Sequence, residues 1–476
     1  MSSEATTITD LSACQLSRAI HAKHISCVEV MQAYLHRIHQ LNPSYNALVS
    51  LRPDAHCLQV AADKDALLAL GHSQGWMHGF PQAPKDLTAT QGLVTTMGFR
   101  GMATHVPTQD SVMAARLRAA GAIFIGKSNT PEFGLGSHTF NSVFGTTRNA
   151  IDPSKSAGGS SGCAAVALAL KLLPVADGSD MMGSLRNPAA WNGVYGLRPS
   201  MGRVPYGTPS GSGLAGDVFF QQLGTEGPMG RCVEDMAQLL AIQAGFDPRA
   251  PLSGQAPIDF TGDLSAPLAG KRVAWLGNLG GYLALEPELA KGLEVAIQRF
   301  SSIGCSLETA QLDIDLASVW QSWLTLRAMT VSGNLAHFAT HPKWRSLLKP
   351  EAIWEYEQGQ RYTAQNVHTA SVTRSQLLAA CLTVFEKFDF IALPATQCMP
   401  FDIHQHWPTT LGGRSMDTYH RWMECTIYAT LAGLPAMSMP AGLVKGLPLG
   451  LQIIAKPQAE WALLQLAYAW QNSVQH

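Results

Sequence analysis

Between residues 8 and 41 the apolar side chains Leu16, Ile20, Ile25, Val28, Met31, Leu35 and Ile38 recur at helical spacing, so one face of each helix there is apolar and packs on the body of the protein. Residues 55–70 repeat the pattern and stop at Gly71, after which Gly79-Phe80-Pro81 breaks the chain and leaves Lys85 beside a turn. A helix at 111–120 followed by the buried run Ala122-Ile-Phe-Ile-Gly126 gives an α/β alternation. Residues 163–173, mostly alanine and leucine, predict a buried helix. Residues 200–260 are rich in glycine and proline. Beyond them 272–277 reads as a strand leading to a helix at 287–300, Phe390–Pro394 and 449–454 as strands, and 459–470 as a terminal helix.

Composition narrows the class. The 476 residues are 46% hydrophobic and 14% charged, enough apolar material for a large core and too little charge for disorder. Lysine plus arginine, 33, nearly cancels aspartate plus glutamate, 34. The chain therefore has no global attraction for nucleic acid or an anionic membrane, and a small neutral or modestly polar molecule is the expected ligand. Nine cysteines without a CxxC pair suggest neither a zinc ribbon nor a redox site and favour reduced thiols in a cytoplasm. The start Met1-Ser2-Ser3-Glu4 lacks the pattern of a secretory signal, and the longest apolar run, 163–176, is too short to span a bilayer.

The densest chemical signal is Ser156-Ala-Gly-Gly-Ser-Ser-Gly-Cys163 followed by Gly178-Ser-Asp-Met-Met-Gly-Ser-Leu-Arg-Asn-Pro188. Glycines allow tight turns that expose a serine hydroxyl and its neighbouring amides to a substrate. An alcohol nucleophile needs a base, and a lysine serves when burial lowers its pKa. Spacing alone does not select the lysine.

These two segments resemble the amidase signature family, whose hallmark is a Gly-Gly-Ser-Ser-Gly-Gly loop upstream of Gly-Ser-Ile/Leu-Arg. The resemblance extends over most of the chain through Pro84-Lys85-Asp86, Gly126-Lys-Ser-Asn-Thr-Pro-Glu-Phe133, Phe144-Gly145, Asn149, Gly193-Val-Tyr-Gly-Leu-Arg-Pro-Ser200, Gly227-Pro-Met-Gly-Arg231 and Gly450-Leu-Gln452, all in family order. It implies a single α/β/α domain over residues 1–476, built around a large twisted mixed sheet with a peripheral helical segment within 260–385. It further implies a linear-amide hydrolase with Lys85 as base, Ser160, joined by a cis peptide, as proton relay, and Ser184 as nucleophile forming an acyl-enzyme. Backbone N–H groups of Met181, Met182, Gly183 and Ser184 would hold the oxyanion. Ser161, Asp180 and Arg186 would support the site, and Phe133 would touch substrate, with Met182, Trp320, Trp323, Met399, Trp407 and Trp422 as further wall candidates. No cofactor or metal is implied, and homodimers are common in the family. Met181-Met182-Gly183 stands where a residue and two glycines are usual, and Cys163 where the loop usually ends in glycine.

Rival readings exist. Gly158-Gly-Ser-Ser-Gly162 fits the G-x-S-x-G elbow of serine esterases, but the preceding Asp152-Pro-Ser-Lys-Ser156 is polar, not an apolar strand. Ser346-Leu-Leu-Lys349 fits S-x-x-K without its companion motifs and reads as a solvated helix face. Gly211-Ser-Gly-Leu-Ala-Gly216 follows a turn and not a strand, and His404-Gln-His406 lacks further ligands. The amidase signature family also includes the A-type component of tRNA-dependent amidotransferases, the second functional reading.

Overall fold

The computed structural model describes residues 7–206, 217–220, 223–254 and 259–473. Its centre is an eight-stranded sheet made of β1 (Ala176–Asp180), β2 (Tyr195–Arg198), β3 (Thr225–Gly230), β4 (Arg272–Trp275), β5 (Ser306–Thr309), β6 (Phe390–Pro394), β7 (Ala436–Val444) and β8 (Leu447–Ala455). The order is β5-β4-β6-β8-β7-β2-β3-β1. β4 runs parallel to β5 and β6, and every other pairing is antiparallel, so the sheet is mixed.

Strand alternation sorts the core into two layers. Val273, Phe390, Ala392, Leu451 and Ile453 enter one apolar cluster, while their neighbours Ala274, Ile391, Leu393 and Ile454 enter the other. Both faces are thus apolar, and helices cover both. One side carries helices such as Cys27–Tyr45, Val233–Gln243 and Glu460–Asn472; the other carries α3 (Leu316–Thr340), which packs through Val319, Trp320 and Trp323, and α5 (Ala364–Lys387), through Leu377 and Cys381. The architecture is an α/β/α sandwich. Within 260–385, residues 272–275 and 306–309 enter the sheet, and α3, α4 (Pro350–Gly359) and α5 follow.

Local chemistry accounts for most element ends. Ser26 caps the helix at Cys27–Tyr45, its hydroxyl accepting the Glu29 N–H at 3.1 Å while Glu29 accepts the Ser26 N–H at 2.8 Å. Ser111 caps Val112–Ala119 in the same way through the Ala114 N–H. The all-apolar α1 (Gly162–Ala169) is buried on every side, as its composition requires.

Three sequence expectations shift, and a fourth falls where the structure is not described. The run at 122–126 forms only Ile123–Phe124, paired with Pro81–Gln82 outside the main sheet. The stretch 200–260 contains β3 and the helix Val233–Gln243. Lys349 is not on a solvated helix face: it precedes α4 and reaches inward to donate to the Leu135 carbonyl at 2.8 Å. The run 211–216 lies outside the described residues. Among the described residues no helix is long and apolar enough to cross a membrane.

Candidate active site

Lys85 follows the Pro81–Gln82 strand and bridges to Ser128, which anchors its main chain. Its side chain is 1% exposed, and Nζ lies 2.7 Å from Ser160 Oγ, 2.9 Å from Ser161 Oγ and 3.0 Å from Ser179 Oγ. Three neutral hydroxyls suit a neutral amine, which offers two hydrogens and one lone pair. Burial pushes the Lys85 pKa down to about 7, against the pull of Asp177 and Asp180.

The serines sit on a loop pinned from three sides. The Gly159–Ser160 peptide is cis. Ser137 Oγ donates to the Gly159 carbonyl and Thr139 Oγ1 to the Gly158 carbonyl, each at 2.8 Å, while Asn192 Nδ2 donates to the Ala157 carbonyl at 2.9 Å. Gly158 has φ +75°, and a Cβ there would stand 2.6 Å from Asn187 Oδ1, so the position requires glycine. Cys163, where the loop enters α1, is buried against Thr147 Oγ1 at 3.0 Å.

Ser184 lies on the turn between β1 and α2 (Arg186–Asn192) and is 8% exposed. Its carbonyl accepts the Ser161 N–H at 3.1 Å, which sets the two serine-bearing segments side by side. Asp180 organises this turn. Its Oδ1 accepts the Gly183 N–H at 2.9 Å and its Oδ2 the Leu185 N–H at 3.1 Å, while Arg186 donates to both oxygens at 2.8 and 3.0 Å. Burial opposes ionisation of Asp180, but the Arg186 and Arg198 guanidiniums outweigh it and hold the carboxyl below its usual range. Arg186 also donates to the Thr426 carbonyl at 2.9 Å, to Thr430 Oγ1 at 3.1 Å and to Gln452 Oε1.

The Met-Met-Gly departure is accommodated. Gly183 has φ +80°, and a Cβ there would meet Thr426 Cγ2 at 2.6 Å. Met182 is not among the residues with positive φ, so the one position that demands glycine keeps it. Its side chain, 3% exposed, packs in the cluster of Trp191 and Trp422. Met181 Sδ lies 3.7 Å from the buried Arg327 guanidinium, which Glu355 and Tyr419 hold at 2.6 and 2.8 Å.

Phe133 joins Phe99 and Phe338 in a satellite aromatic cluster, with ring centroids at 5.1 and 5.0 Å. A Cβ on the adjoining Gly134 would stand 3.5 Å from Ser160 Oγ, so the main chain next to Phe133 approaches the candidate relay. Of the other wall candidates, Trp320, Trp323 and Trp422 are buried core residues. Trp407 packs on Tyr419, and Met399 lines a groove of about 550 Å³ with Ile151, Glu288 and Val444.

Sequence reasoning missed Ser179, the third hydroxyl on Lys85, although it lies within the Gly178 to Pro188 segment. It also missed Lys127, a second buried lysine, which donates to the Thr88 carbonyl at 2.6 Å and to Thr90 Oγ1 at 2.8 Å.

A family model described as Amidase matches residues 29–464. The A-type component of the glutamyl-tRNA(Gln) amidotransferase of Symbiobacterium thermophilum is 34% identical, the match covering 98% of this chain and 97% of the relative. An acylamidase of Rhodococcus erythropolis is 32% identical over 96% of this chain and 94% of the relative. The crystal structure of a bacterial aryl acylamidase, one of the amidase signature enzymes, superimposes with a TM-score of 0.89 at 27% identity, covering 97% of this chain and 96% of that one.

Proposed function

The chain belongs to the amidase signature family and is by that membership an amidohydrolase, and from this premise we propose that it cleaves small-molecule amides by serine catalysis in one domain. The observation that carries the reading is the buried Lys85 Nζ, 2.7 Å from Ser160 Oγ and surrounded only by hydroxyls. In this mechanism neutral Lys85 accepts the Ser160 proton as Ser160 takes the proton of Ser184, and Ser184 Oγ attacks the amide carbonyl. The N–H groups of Met181, Met182 and Ser184 stabilise the oxyanion, worth several kcal/mol; the Gly183 N–H, expected among them, instead donates to Asp180 Oδ1 at 2.9 Å and holds the turn. The tetrahedral intermediate collapses as the proton returns through Ser160 to the departing amine. Water then cleaves the acyl-enzyme by the same relay.

An apolar or aromatic acyl group on a primary or simple secondary amide is the substrate class we favour, supported by Phe133, whose chain neighbour Gly134 approaches Ser160 and whose ring joins those of Phe99 and Phe338. Nine free thiols support a reducing, cytoplasmic setting, and a second copy of the chain is the partner to seek. The decisive experiment is intact-protein mass spectrometry after a fluorophosphonate probe. The expected adduct maps to Ser184 and vanishes in Ser184→Ala; an adduct on Ser160 would instead support the esterase elbow.

A second reading, the A-type component of a tRNA-dependent amidotransferase, is favoured by the 34% identity to the Symbiobacterium relative over nearly the whole of both chains. Glutamine hydrolysis that requires tRNA, ATP and a co-purifying partner chain would establish it. Turnover of simple amides by the isolated chain would decide for the small-molecule reading.

A further inference from the structure

Behind Lys85, the paired strands β1 and β3 present carboxylates to one space. Side chains two apart on a strand share a face, so Asp177 points the same way as Ser179, which meets Lys85 Nζ. The register sets Ser179 opposite Glu226, so Glu226 joins that face. Asp177 is 1% exposed; its Oδ2 accepts the backbone N–H of Lys85 itself at 3.1 Å, and its Oδ1 accepts Gln82 Nε2 at 3.2 Å.

Neither carboxylate touches Lys85 Nζ, whose three partners are hydroxyls, so each acts on it through space. Burial raises the Asp177 carboxyl above its usual range, opposed by the Lys85 N–H it accepts and by the Lys127 charge. Among the described residues the Glu226 carboxyl accepts only the Thr88 hydroxyl, at 3.3 Å, and burial, with the Asp177 charge, pushes it up to about 8. The other titratable groups bearing on Lys85 are Asp180, committed to Arg186, and the buried Cys163 thiol. Lys127, hydrogen-bonded to Thr88 and Thr90, feels the charges of both Asp86 and Asp177.

We propose that Asp177 is a positioning residue for the base: fastened to the Lys85 amide and to Gln82, its buried carboxylate fixes the lysine's main chain and sets the pH at which the amine gives up its proton. The proposal rests on the reading of Lys85 as base. A negative charge held in a water-excluded interior favours a nearby ammonium, so removing it makes the amine neutral at lower pH. Asn at 177 keeps an acceptor for the Lys85 N–H and deletes only the charge. Gln at 226 replaces a group already neutral near pH 7 and is the matched control.

The test measures the rate of Ser184 fluorophosphonylation against pH for the wild type, Asp177→Asn and Glu226→Gln. The wild-type rate should rise through about pH 7. The Asp177→Asn curve should rise about one pH unit lower, so that one unit below the wild-type midpoint it reaches roughly five times the wild-type fraction of its own plateau. Glu226→Gln should follow the wild type up to that midpoint. An Asp177→Asn curve that coincides with the wild type overturns the proposal. If Asp177→Asn does not fold, Asp177→Thr, neutral and suited to a strand, is read in its place. A wild-type rate independent of pH, or unimpaired labelling of Lys85→Ala, would instead remove the base reading itself and is thereby distinguished.

Discussion

Two buried cations flank β1 and meet opposite fates. Lys85, on the face of Ser179, has only hydroxyls around its nitrogen, and burial pushes its pKa to about 7. Arg186, on the side of Asp180, forms a two-point ion pair with a carboxylate that accepts two further backbone N–H groups. A buried charge survives where a counter-charge and complete hydrogen bonding replace water, and is lost where they do not. One strand therefore supports a candidate proton acceptor on one face and a permanent structural charge on the other, through the alternation of Asp177, Ser179 and Asp180 alone. The first is poised to change state; the second holds the loop that carries the candidate nucleophile.

The contrast can be broken from either side. Lys85→Ala should lower amide turnover by about 10²- to 10⁴-fold, the range of a lost general base, with the melting transition retained; near-normal turnover would mean that another group takes the proton. Arg186→Met leaves Asp180 buried without its partner and should cost about 3–5 kcal/mol in urea unfolding, whereas a change within error would show that Arg198 alone sustains the carboxylate. Ser179→Ala should have the smallest effect. It removes one neutral hydrogen bond of about 1 kcal/mol, so kcat should fall roughly fivefold with KM little changed, and a loss as large as that of Lys85→Ala would give Ser179 a direct part in proton transfer.

Elements whose signal is local are legible in the sequence. Phe390–Pro394 has the bounds its wholly buried, apolar run predicts, and Val112–Ala119 starts where Ser111 caps it. β3 is not legible, since Thr-Glu-Gly-Pro-Met-Gly carries the residues of a turn. It is a strand because β2 packs against it so closely that a Cβ on Gly227 would stand 2.3 Å from the Leu197 carbonyl oxygen, a constraint set by tertiary structure. Of the site, the glycine-serine loop and the Asp180 to Arg186 segment stand out from their residues, but Lys85 needs the family resemblance to be chosen. Lys127 and Asp177 escape notice because a buried charge in sequence is indistinguishable from a solvated one; only the fold shows what surrounds it.

Arg186 reaches 240 residues along the chain to Thr426 and 266 to Gln452. Lys85, Ser160 and Ser184 are all synthesised before Arg186, yet the loop that carries Ser184 is fastened by groups added 240 and 266 residues after Arg186. A nascent chain stopped short of residue 426 holds every candidate catalytic group and lacks these anchors for Arg186, so the turn of Ser184 is fully fastened only after Thr426 and Gln452 have been added.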